Sequence, residues 1–257
     1  MSLLGSGRRT AVVGMAALAG SGFALQPAEH THPMITEVLF NVPRGDEADA
    51  NRDGTRDATG DEFVEVGNPS ARPMNLKGYR LVSRLAYGEA SPKRGVFFTF
   101  PDFELPAHSV AIVFNGHGAT IPGPVGTGAQ APSGPSEAFG MGWVFTMEMS
   151  ARNNAMSNSG DFIVLLDPAG RPVDGVHWGS PEPSPPGAID AEGRTIYRLQ
   201  EVKRDPKGSV QRMAPGDELV EHRAIDGTPF SPGWIPGPGG KPGATGGDGE
   251  ADGSGSP

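Results

Sequence analysis

Short apolar runs recur along this chain, each stopped by Gly, Pro, Asn or Asp, and no amphipathic pattern persists over three helical turns. The clearest runs are 35–40, 62–66, 78–82, 96–100, 110–114, 162–166, 173–178, 196–199 and 209–213. Residues 110–114 (VAIVF) and 162–166 (FIVLL) are apolar throughout, as expected of central strands covered on both faces. Many short strands with Gly- and Pro-rich connections specify an all-β sandwich or barrel.

Two segments break the rhythm. Gly116–Gly140 is rich in Gly, Pro, Ala and Ser and is expected to be a flexible insertion. Residues 236–257 have no apolar cluster to offset the entropy of ordering, and are expected to form a disordered C-terminal tail. The N-terminus has a different character. Arg8 and Arg9 precede an apolar stretch from Ala11 to Ala19, and Gly22-Phe23-Ala24 suits a signal-peptidase site. Residues 1–24 therefore read as a signal peptide, 25–33 as a lead-in and 34–235 as one domain. The expected address is outside the cytoplasm: extracellular, cell-surface or periplasmic. The apolar stretch is too short to span a bilayer, and no second one follows it.

Charge and cysteine content exclude several functions. The chain has 21 basic and 30 acidic residues, net −9, and removal of Arg8 and Arg9 takes this to about −11. Nucleic acid is not an expected partner, because backbone binding needs clustered Lys and Arg. The absence of cysteine rules out disulfides, thiolate chemistry and Cys-based zinc sites.

Several phrases resemble one family. Ile35-Thr36-Glu37-Val38-Leu39-Phe40-Asn41 resembles the opening strand of lamin-tail domains. Asp61 to Ser70, followed by Met74-Asn75-Leu76-Lys77-Gly78-Tyr79, is similar to their Asn turn and "D/N-L-x-G-W" corner, with Tyr79 where Trp is usual. Leu105 to Phe114 looks like the "LPPG" turn and its strand. Asn158 to Asp167, continuing to Trp178-Gly179, resembles a later hairpin, whose tip falls at Pro168-Ala169-Gly170. Ser209–Arg212 and Ser231–Gly233 are similar to the closing segments. The resemblance implies an immunoglobulin-like antiparallel β-sandwich and an interaction module rather than an enzyme. It does not identify the partner.

One constellation carries chemistry. Asp49, Asn51, Asp53, Gly54, Thr55 and Asp57 follow the first half of a calcium loop, D-x-[DN]-x-[DN]-G. The twelfth position is Gly60 where a bidentate Glu is expected, so an EF-hand is rejected. Asp61 or Glu62 is left to close a looser Ca2+ site. The same residue types also build ordinary polar turns. No H-E-x-x-H, G-x-S-x-G or phosphate-cradling Gly loop occurs. Scattered histidines, the Asp102/Glu104 pair and the methionines 141, 147, 149 and 156 give no catalytic set. The expectation is an exported, non-catalytic interaction or surface-assembly module for a protein or cell-surface partner, with a calcium-stabilised loop. The alternative is an exported hydrolase or carbohydrate-binding protein that uses residues 116–156.

Overall fold

Strand-forming runs bury both of their faces here, so the chain stacks further layers outside its two sheets. The computed structural model describes residues 31–234, apart from 90–91, 148–154 and 215. The signal expected at 1–24, the lead-in before residue 31 and the tail expected at 236–257 lie outside the described residues. In chain order the strands are β1 (Met34–Leu39), β2 (Phe63–Gly67), β3 (Met74–Asn75), β4 (Arg80–Ser83), β5 (Phe97–Thr99), β6 (Glu104–Leu105) and β7 (Val110–Phe114). There follow β8 (Val125–Gly126), β9 (Trp143–Thr146), β10 (Gly160–Leu166), β11 (Pro172–Gly179), β12 (Arg198–Val202), β13 (Val210–Arg212) and β14 (Leu219–Glu221), then one helical turn, α1 (Arg223–Asp226). Among the described residues no helix is long and apolar enough to cross a membrane.

The first sheet runs β14-β13-β1-β2-β7-β9-β8, and the second runs β12-β11-β10-β4-β5. β3 and β6 pair separately at a corner. Most pairings are antiparallel, as expected of an immunoglobulin-like sandwich. The β7–β9, β8–β9 and β11–β12 pairs are parallel, which departs from the purely antiparallel expectation. Parallel neighbours need long crossovers, and the residues between β7 and β9 and between β11 and β12 supply them.

Between the sheets Ile35, Val38, Val64, Val66 and Val113 meet Leu81, Phe98, Ile163, Leu165 and Val176. Phe40 and Trp178 stack there, with ring centroids 3.8 Å apart and planes within 10°. The alternate residues of the first sheet, Leu39, Phe63, Ile112 and Phe114, form a second apolar face, against which Ile121, Phe139 and Phe230 pack. This corrects the expectation of a flexible Gly116–Gly140 insertion. The segment contributes β8 and a one-turn helix at Glu137–Phe139, and Phe139 is fully buried. Few apolar residues suffice, because its prolines have little backbone freedom to lose and the face that it covers already exists.

Polar clasps tie these layers together. Arg212 on β13 and Asp174 on β11 form a buried ion pair between the sheets, with Nη2 to the two carboxylate oxygens at 3.1 and 3.2 Å. Arg212 Nε donates to Ile35 O, and Ile35 N donates to Asp174 Oδ2, which draws in β1. At the sandwich flank the Gln200 side-chain amide donates to Leu219 O at 2.8 Å and accepts from Leu219 N at 2.6 Å, so that β12 of one sheet is joined to β14 of the other.

A bulge between Ile35 and Glu37 turns Thr36 and Glu37 outward, and Glu37 lies opposite Glu65. Both carboxyls are sealed under a strap formed by residues 228–234. Ser231 N donates to Glu37 at 3.0 Å, and Gly233 N donates to Glu65 at 2.7 Å. His222 holds the strap in place through Thr228 O and the Ser231 hydroxyl. Burial pushes Glu65 up to about 7 against its hydrogen bonds to Thr36 and Gly233. Burial and the nearby Glu65 push Glu37 well above the usual range.

Both carboxyls are easier to protonate folded than unfolded. Their stabilisation is complete below about pH 4.5 and is lost as pH rises through about 7. The melting temperature should fall across that window, and Glu65→Gln should flatten the fall by on the order of 3 kcal/mol at pH 8. A pH-independent melting temperature in the wild type would refute this account, as would Glu65→Gln losing stability at pH 8.

Candidate functional site

Several loops from both sheets meet at the end of the sandwich where β1 finishes and β2 and β10 begin. The loop between β1 and β2 dominates this end, and it contains the sequence-predicted ligands. Asp49 accepts Asp53 N at 3.2 Å on Oδ1 and Gly54 N at 2.9 Å on Oδ2. Asn51 Oδ1 accepts Asp53 N at 3.0 Å, and Asp53 Oδ1 accepts Thr55 N at 2.8 Å. Asp57 Oδ1 accepts the amides of Thr59 and Gly60 at 2.8 and 2.7 Å. Asp61 spans the loop, taking Asn51 N at 3.0 Å on one oxygen and Asp57 N at 2.6 Å on the other.

These bonds are Asx-type closures in which each short carboxylate or amide satisfies nearby backbone N–H groups. They bring Asp49, Asn51, Asp53 and Asp61 into one loop, but not into one ligand shell. Thr55 is exposed. Glu62 turns away into the interior, where Oε2 accepts Met156 N at 2.9 Å. Burial first, then the charges of Asp161 and Asp57, push its carboxyl well above the usual range. Among the described residues no group of three or more His, Asp or Glu side chains converges as a metal site. The buried atom left without a partner in this loop is Asn51 Nδ2, a donor, which a cation would not accept as a ligand. As arranged, the carboxylates of Asp49, Asp53 and Asp57 face the loop's own amides.

Gly60, the position where the motif departs from a calcium loop, has a packing reason. A Cβ there would lie 2.6 Å from His117 O, so no Glu could occupy it without moving the covering segment. Gly116 N also donates to Gly60 O, and Arg52 lies over the Phe139 ring at 5.3 Å. The loop is thus docked onto the layer built by residues 116–142. Burial pushes Asp61 up to about 6, with the Asp49 charge adding to it and the amide bonds opposing it.

A solvent-open cavity of about 740 Å³ adjoins the loop, lined by Asn41–Arg44, Arg56, Ala58, Asn158, Asp205–Lys207 and Arg223. Arg56 forms part of its wall, with Nε and Nη2 donating to Pro43 O and Val42 O at 2.9 and 2.8 Å. Asn158 donates to Asn41, and Asn41 to Asp205, so three separate loops close one rim. Sequence reasoning missed this cavity, because its basic residues are scattered from 44 to 223 with no shared motif.

Other sequence candidates take structural roles. His32 is 2.8 Å from Tyr79 Oη, Asp102 pairs with Lys77 at 2.7 Å, and His222 serves the strap. Met156 is in the core, Met147 packs against it and Met141 is exposed, while His30 and Met149 lie outside the described residues. No described Trp or Tyr is exposed, so the planar aromatic row that a carbohydrate-binding surface needs is missing among the described residues.

Two sheets packed face to face, with the loops of both gathered at one end, define an immunoglobulin-like domain. The lamin tail domain model matches residues 26–180, more than half of the chain, and the chain belongs to that family. The match ends just after β11, so β12–β14 and the strap complete the two sheets beyond it. None of the curated proteins matches the chain.

Asp61 holds two amides that no other side chain satisfies. Asp61→Ala should lower unfolding stability by about 2 kcal/mol, the cost of orphaning buried donors. It should also speed amide exchange at Asn51 and Asp57. Unchanged exchange at both positions would show that the loop is held by something other than Asp61.

Proposed function

We propose that this protein is an exported, non-catalytic interaction module that presents the loop end of its sandwich to a protein or cell-surface partner. The observation that carries this reading is the meeting of loops from both sheets around one open cavity, while the buried ionisable groups elsewhere serve packing. Glu37 and Glu65 lie under the strap, and Glu62 and Asp161 bond backbone amides. Membership of a family of immunoglobulin-like domains supports a binding role. Export rests on the basic and apolar pattern of residues 8–24.

A photo-crosslinking residue at the exposed Asp46, beside the cavity, should trap a partner on the producing cells. One at Lys77, at the opposite end of the sandwich, should not. The secreted chain should begin at Leu25 by intact mass. Adducts from Lys77 alone, or a chain retained inside the cell with its first 24 residues, would defeat the proposal.

Calcium in the 49–61 loop is a separate proposal. It is supported by the alternating oxygens of Asp49, Asn51, Asp53 and Asp57, and by the charge crowding of Asp49 on Asp61. Binding would have to exchange the amide bonds of Asp49 and Asp53 for the cation. Millimolar calcium after chelator treatment should then raise the melting temperature, by about 1.8 kcal/mol at 2 mM on a ~0.1 mM site. Asp53→Ala should abolish the rise. No shift at any concentration would leave loop closure to the amides alone.

A further inference from the structure

We infer that the loop-end cavity binds a phosphate- or sulfate-bearing ligand of small-molecule size. The inference rests on the loop end being the binding surface and adds the chemistry of what is bound. The chain as a whole is net −9, yet this one cavity is lined by Arg44, Arg56, Lys207 and Arg223 against the single carboxylate of Asp205. Four cations drawn from three separate segments, the β1–β2 loop, the β12–β13 loop and α1, do not gather on an acidic protein through composition alone.

The way in which these cations are held separates them from ordinary surface charge. Arg56 is fixed by Val42 O and Pro43 O, and Arg223 Nε and Nη1 by Lys207 O and Gly227 O at 2.6 and 3.2 Å. Carbonyl oxygens orient a guanidinium without neutralising it, so both charges remain available on aimed side chains. Nearby carboxylates cancel little: Glu47 reaches Arg223 only at 3.9 Å, and Asp205, 3.2 Å from Lys207, is shared with Asn41. Arg44 is exposed at the rim, with no hydrogen bond or ion pair to any described residue.

The uncharged part of the lining suits an oxyanion as well. Asn41 and Asn158 each use one amide hydrogen within the rim and keep a second donor. Pro43, Pro206 and Val42 give the cavity an apolar wall against which the body of a ligand can rest. Its volume of about 740 Å³ exceeds the needs of a lone ion and falls in the range of small-molecule sites. An extended polyanion such as nucleic acid would meet the acidic remainder of the surface, so the site selects a compact group.

The test is calorimetric titration of the full chain with pyrophosphate, inorganic phosphate, sulfate and acetate at low and high sodium chloride. Saturable one-site binding of pyrophosphate or sulfate, with acetate inert and affinity falling with salt, is the expected result. Arg44→Ala and Lys207→Ala should each weaken it by about ten-fold or more, the loss of a charged hydrogen bond. Both variants should keep the wild-type melting temperature, and Lys77→Ala, at the opposite end of the sandwich, should bind normally. Absence of saturable binding would overturn the inference, as would binding undiminished in both cavity variants. The Asp46 crosslink does not depend on phosphate or sulfate. If it survives such a failure, only the ligand chemistry is wrong, and if both fail, the loop end is not the binding surface.

Discussion

The buried pair of Arg212 and Asp174 is the constraint on which the rest of the structure depends. Its two charges come from different sheets, and both are bonded to the backbone of Ile35 in the centre of the first sheet. A buried ion pair adds little net stability, since desolvation offsets most of the attraction. Burial pushes Asp174 above the usual range and Arg212 below it, each pulling against its partner. The geometry, however, is exclusive. One residue of slip in β1, β11 or β13 would strand a buried charge, so the clasp selects a single register for three strands. The bulge after Ile35 then falls where it turns Glu37 toward the strap.

From that register the two ends of the sandwich follow. β1 ends beneath the cavity, and Phe40 continues it inward to stack on Trp178, while Asn41 begins the rim. The 49–61 loop has to return to β2 within the space left by residues 116–120, where a Cβ at Gly60 would lie 2.6 Å from His117 O. Loop, cover and rim are therefore consequences of one alignment rather than separate inventions.

Much of this was legible in the sequence. The runs at 110–114 and 162–166 were recognisable as central strands, because residues apolar on both faces must be covered on both faces. The hairpin at 161–176 was marked by Gly170, whose φ of 83° the reversal requires. Strands β3, β6, β8, β9 and β14 were missed, since strands of two to four residues carry too little periodicity to read. The 116–140 segment was misread because it was judged by what it could bury itself, whereas it covers a face made by other strands. The Asp/Asn/Gly spacing of the 49–57 loop is ambiguous for a chemical reason: the oxygens that could surround a cation are also those that accept a turn's own amides. The cavity left no trace at all, because proximity in space assembled it from residues far apart in the chain.

The Gln200 contact with Leu219 has a consequence for how this domain can associate. The side-chain amide offers one donor and one acceptor with the spacing of a peptide group, so it stands in for a neighbouring strand along that flank. The other borders, β8 and β5, are two and three residues long, too short to template a guest strand. Self-association through the margins of the sheets is thereby disfavoured. Partners are left with side-chain chemistry at the ends of the molecule as their means of attachment.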